Sequence, residues 1–170
     1  MADKWVQVEI ADLSVIGQVL ARVGQTDPEK SMYVQGMLQV QGVTLAALKR
    51  AVAAVDPATI RAEGLKADIS ARRYAEETRG ITVSGVSVAT DRESQGLITG
   101  AALAATVDPA YVCRWKTPDG FVELDAAALL GMAGAIRAHV QACFDREADL
   151  LSAVKDGTYT DDMLGAGWPA

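Results

Sequence analysis

The stretch between Asp125 and Gly157 constrains the fold more than any other part of the chain. Leu129, Met132, Ile136, Val140, Cys143, Phe144, Glu147, Leu150, Leu151 and Val154 recur there at intervals of three and four. That is one face of a single long helix, with Asp125 as N-cap and Gly157 as the left-handed stop. At 1.5 Å per residue such a helix is about 45 Å long. A compact domain of about 100 residues has a radius of gyration of only about 13 Å. The spacing therefore predicts a helix that reaches past its own domain, with an apolar stripe left for other copies.

The segments before it mix strand and helix signals. Trp5 to Ile10 alternates, with Trp5, Gln7 and Glu9 on one face and Val6, Val8 and Ile10 on the other. Leu13 to Val23 has helical spacing, and residues 32–43 read as strand with turns or bulges at Gly36 and Gly42. Thr44 is placed to cap a helix running to about Val55. Asp56-Pro57 opens another helix, which extends to Arg79 and stops at Gly80. It carries one thin stripe of Ile60, Ala67, Ala71 and Tyr74 and a second of Leu65 and Ile69. Such a helix packs on a partner chain, spans between domains, or lies on the surface of its own core.

Two hairpins follow from turn chemistry. Ile81–Val83 and Val86–Val88 flank Ser84-Gly85, and the strands around Trp115 and Phe121 flank Pro118-Asp119-Gly120. Between the hairpins, Thr90 and Glu93 have the spacing of a capping box, opening a helix to about Thr106. Gly96 and Gly100 leave notches one turn apart on it, where another backbone can approach. The fold class expected is α+β: a small N-terminal α/β segment over 1–56, then 57–157 with helices, two β-hairpins and the long C-terminal helix. Residues 158–170 form a tail, read either as a frayed terminus or as a docking segment that uses Tyr159, Met163, Leu164 and Trp168.

The run from about Arg72 to Ala153 resembles a domain of unknown function that recurs in bacteriophage tail-fibre and tail-fibre-assembly proteins. The residues that carry the resemblance come in blocks. They are Arg72-Arg73, the segment from Gly80 to Ser94, the small-residue helix around Gly100-Ala101-Ala102, and Trp115 to Gly120. Val122 to Asp125 and Arg137 to Phe144, before Glu147, complete them. The resemblance implies a phage origin and a tail or fibre context, and it brings no catalytic residues. It implies a virion tail protein made in the host cytoplasm: a tail-fibre, fibre-attachment or baseplate-associated subunit. The alternative is a tail-fibre assembly chaperone not retained in the virion. The expected partners are further copies of the chain, as a trimer by analogy with threefold fibres, and other tail or fibre proteins.

Charge and motifs narrow the rest. A formal net charge of −6 repels a phosphate backbone, so no nucleic-acid partner is expected. No run of about 18 apolar residues and no signal peptide is read, so no membrane partner is expected. Cys113 and Cys143 lack metal-ligand spacing, and His139 is the chain's one histidine, so no metal is expected. No phosphate loop or dinucleotide fingerprint occurs, so no cofactor is expected. Cys143 lies four residues after His139 and can touch it, but a Cys–His pair within one helical turn is weak evidence of a nucleophile. Asp145 and Asp149, with Glu147, read as a solvated helix face rather than a cation site or an acid–base pair. The chain is therefore expected not to be an enzyme. The residues assigned to an oligomer or partner interface are Gly96, Gly100, Leu129, Met132, Ile136, Val140, Phe144, Leu151 and Trp168.

Overall fold

A computed structural model of the chain describes residues 4–117 and 120–170. The expected turn at Pro118 and Asp119 lies outside them. The architecture is α+β, with small sheets of two or three strands and a long C-terminal helix. The chain divides into two units, Met1–Leu65 and Lys66–Ala170. The division falls inside a helix, whereas the sequence reading placed a boundary before it, at residue 56.

In the first unit β1 (Trp5–Glu9), β2 (Ser31–Val34) and β3 (Met37–Gln41) form an antiparallel sheet in the order β1-β3-β2. Gln35 and Gly36 both take positive φ, which gives a tight two-residue connection between β2 and β3. Val6 and Val8 face inward with Leu38 and Val40, as the alternation requires. Against this sheet pack a 3-10 turn (Leu13–Val15), α1 (Ile16–Arg22) and α2 (Leu45–Ala53). Thr44 accepts from the Ala47 N–H and caps α2. The core is Ile10, Val15, Val19, Leu38, Val40, Leu48, Ala51 and Val55.

α3 (Pro57–Thr78) opens on Asp56, whose carboxylate accepts from the N–H groups of Ala58 and Thr59. Its inward residues in the second unit are Ile69 and Glu77, both fully buried. Ala67, Ala71 and Tyr74 face solvent. Gly80, with φ near +86°, turns the chain into β4 (Ile81–Val83) and β5 (Val86–Val88). α4 (Arg92–Val107), β6 (Val112–Thr117), β7 (Gly120–Asp125) and α5 (Ala126–Asp156) follow. The two hairpins remain separate sheets, β4-β5 and β6-β7. They pack with α4 and α5 around Val88, Ile98, Ala105, Leu124, Ala126, Leu129, Met132 and Ile136.

α5 starts at the Asp125 cap and stops at Gly157, as its sequence indicates. By length and composition it is long and apolar enough to cross a membrane, although polar residues interrupt it. Its apolar stripe does not stand free, however. Leu129, Met132 and Ile136 are spent on the core of their own unit, and Cys143, Leu150 and Ala153 are buried further along. α3 and the C-terminal segment lie along the second half of α5, so the helix does not stand clear of its own unit as its length suggests. Burial of this kind predicts a large cavity penalty. Leu129→Ala should lower stability by about 2–5 kcal/mol in a denaturant titration of the whole chain.

Candidate assembly surface

A buried carboxylate sets the position of α4. Glu77, at the end of α3, is completely inaccessible and is held from three directions. Arg73, one turn earlier on α3, pairs with it. Arg92, in the first turn of α4, reaches it at 3.1 Å, and the Gln95 side-chain amide donates to it at 3.2 Å. Arg73 also bridges to Glu147 of α5 at 3.1 Å, and its guanidinium lies 4.6 Å from the Phe144 ring centroid. A carboxylate without these donors would be too costly to bury, so the cluster specifies one arrangement of α3, α4 and α5.

The start of α4 differs from the sequence expectation. Asp91, not Thr90, is the N-cap: its carboxylate accepts from the N–H groups of Glu93 and Ser94 and from the Ser94 hydroxyl. Thr90 is buried instead. Its hydroxyl donates to the Glu77 carbonyl at 2.6 Å and accepts from the Gly80 N–H at 3.0 Å. A cap needs a free acceptor aimed at the first N–H groups of the helix, and the Thr90 hydroxyl is taken by the end of α3. The Ser94 hydroxyl, and then the Ser94 N–H, hold the Asp91 carboxyl below the usual carboxylate range. Its contribution to stability is therefore present above the ordinary aspartate pKa and lost as pH falls through the lowered folded value. Asp91→Asn keeps a good capping side chain but cannot titrate. The gap in melting temperature between wild type and this variant should narrow as pH falls from about 7 to about 2.

Fixed in this way, α4 turns Ile98 and Ala105 into the core. On the opposite face Gly96, Gly100, Leu103 and Val107 recur at four, three and four residues, and all are exposed. Leu103 retains 67% and Val107 79% of their accessible surface. Apart from the backbone of α4 itself, nothing lies within 4 Å of where a β-carbon would stand at Gly96 or Gly100. Both notches face outward, at the head of an apolar stripe with the spacing of a helix–helix seam.

The other residues assigned to an interface divide differently. Leu129, Met132 and Ile136 are core residues and cannot face a partner, and Val140 packs against that same core. The sequence reading had them turned outward because it had no partner for them within the chain. Phe144 is half exposed beside Arg73, and Leu151 is half buried. Trp168 is half buried, and its indole N–H donates to the Leu164 carbonyl at 2.8 Å. The C-terminal segment is thus docked on its own unit. Arg146 donates to the carbonyls of Met163 and Ala166, and Arg79 donates to that of Pro169.

His139 and Cys143 do meet, at 3.8 Å. The His139 Nε2 also lies 3.0 Å from the Glu76 carbonyl, which requires that nitrogen to carry the proton and leaves it unable to take one from the thiol. Burial, and then the nearby Glu76 and Glu77, push the Cys143 thiol up, away from the reactive thiolate. Asp145 accepts from the Gln141 amide, and among the described residues no group of three or more metal-ligating side chains comes together.

A family model described as "Domain of unknown function (DUF4376)" matches residues 59–164. The chain belongs to this family. No curated protein and no solved structure matches the chain. The DUF4376 segment runs from the first turn of α3 into the C-terminal 3-10 turn at Asp161–Gly165 and so includes the Glu77 cluster and the α4 stripe. Sequence reasoning located Gly96 and Gly100 but missed Leu103 and Val107, although the four share one seam spacing. It also missed Glu77, whose signal was the arginine one helical turn before it, Arg73. Glu77→Ala removes the acceptor that Arg73, Arg92 and Gln95 share and leaves Arg73, a largely buried charge, with Glu147 alone; it should cost about 3 kcal/mol by chemical denaturation.

Proposed function

We propose that this chain is a non-enzymatic assembly subunit of a bacteriophage tail, acting as a tail-fibre, fibre-attachment or baseplate-associated component that pairs with copies of itself through α4. The observation that carries the self-association is the exposed stripe of Gly96, Gly100, Leu103 and Val107, held away from the core. Leucine and valine left in water at seam spacing gain by burial against a second helix, at about 25 cal/mol per Å². The two glycines allow the helix axes to come close at one end of that seam. The phage context rests on the blocks of sequence from Arg72 to Glu147.

Gly100 separates assembly from folding. Apart from its own helix backbone, a β-carbon there meets nothing within 4 Å in the single chain, and glycine inside a helix is itself unfavourable. Gly100→Leu should therefore leave the fold intact and disturb only a closely packed seam, at a cost of about 1–3 kcal/mol. Sedimentation at micromolar concentration should show the wild type as an oligomer, with three copies favoured, and the variant dissociated by about tenfold or more. A monomeric wild type would overturn self-association. Mass spectrometry of purified particles tests the structural role, since absence from the particle would leave the assembly-chaperone reading.

A further inference from the structure

The exposed stripe of α4 has the same spacing read in either direction. Gly96, Gly100, Leu103 and Val107 are separated by four, three and four residues. Two residues without side chains stand at its N-terminal end and two large ones at its C-terminal end. A second copy running the opposite way, set with its Leu103 opposite Gly100, also brings its Val107 opposite Gly96. Every level of the seam then sets a knob against a notch, which is how paired helices pack. A parallel pair in register sets each residue against its own copy. Glycine meets glycine at one end, while Leu103 and Val107 of both copies hold the axes apart at the other. A crossing close at the glycines diverges before it covers Leu103 and Val107, the two most exposed apolar side chains of α4.

Polarity and charge favour the same orientation. No charged residue occurs from Ser94 to Val107, so the face offers nothing to a charged partner and suits a second copy of itself. Thr99 and Thr106, along one edge of the stripe, already donate their hydroxyls to the carbonyls of Gln95 and Ala102. Closing the seam therefore strands no hydroxyl donor. Glu93, one turn before Gly96, is exposed and has no ion-pair partner among the described residues. A parallel pair would bring the two Glu93 carboxylates together. The antiparallel register sets them about 25 Å apart along the seam. The last turn of α4 carries no basic residue, and Asp108 stands at its C-cap. An antiparallel copy brings the positive end of its own helix dipole to that acidic end.

We propose that α4 pairs with α4 of a second copy in antiparallel register, across a twofold axis level with Ala101 and Ala102. The proposal rests on self-association through α4 and deepens it by naming the surface that each stripe meets. A seam of this symmetry joins copies two at a time, so it sets an even number in place of the three given by analogy with fibres.

The test uses the full-length chain. Gly100→Leu sets a leucine against Leu103 of the second copy and should weaken association by about tenfold or more. Gly100→Leu combined with Leu103→Gly restores one knob and one notch at that level, and should return association to within about threefold of the wild type. Both positions are exposed and the helix keeps its composition, so the circular dichroism of the double variant should match the wild type. Chains carrying Gly100→Cys and Leu103→Cys, mixed and mildly oxidised, should form disulfides that join one variant to the other, located by mass mapping of the linked peptides. Each variant linked chiefly to itself, a double variant as dissociated as Gly100→Leu, or a trimeric wild type would each overturn the antiparallel seam and leave self-association standing. A monomeric wild type would overturn both.

Discussion

The second unit depends on the placing of one negative charge. Glu77 has no contact with solvent, and a lone carboxylate in such a site would lose its hydration without recompense. Arg73, Arg92 and Gln95 supply that recompense, and they come from two helices. Glu147 extends the cluster to a third through Arg73. Apolar packing alone tolerates small slips between helices. Directed hydrogen bonds to a buried charge do not, since each slip leaves a donor or acceptor unpaired. The Thr90 hydroxyl works beside it, tying the Glu77 carbonyl near the end of α3 to the N–H of Gly80.

Once α4 is clamped at its first turn, its rotation about its own axis is determined. Ile98 and Ala105 must enter the core, and the residues half a turn away must face solvent. The exposed stripe is thus a consequence of the same geometry that buries Glu77. A helix free to roll would hide Leu103 and Val107. This one keeps them outside, where association with a second helix can bury them. A similar argument applies to the hairpins. α4 and α5 hold both against one core, yet the two are not joined into one sheet.

Much of the local structure was legible because it depends on short-range chemistry. Asp125, Thr44 and Asp56 cap helices because each carries an acceptor that reaches the next free N–H groups. Gly80 and Gly157 stop helices because they accept positive φ. The hairpin at Ser84-Gly85 follows from a two-residue turn between alternating segments, whereas around Gly36 the sequence indicated only a turn or bulge where the structure has the β2–β3 hairpin. Errors came where two signals competed. Thr90 and Asp91 are both capping residues, and their order was decided by the buried end of α3 rather than by their own preferences. The interface was misread for a related reason: helical periodicity shows that Leu129, Met132 and Ile136 are buried, but not by which chain.

By itself the sequence determined most helix caps and stops, which face of each helix and strand is apolar, and that the class is α+β, because those properties depend on neighbours within a few residues. Only the tertiary structure decided that α5 is covered by its own unit, that the tail is pinned by Arg146 and Arg79, and that α4 is the helix left with an open apolar face. Periodicity records the direction of burial along one element. The identity of the surface that covers it depends on residues as far apart as Arg73 and Glu147, whose pairing exists only once the chain has closed on itself.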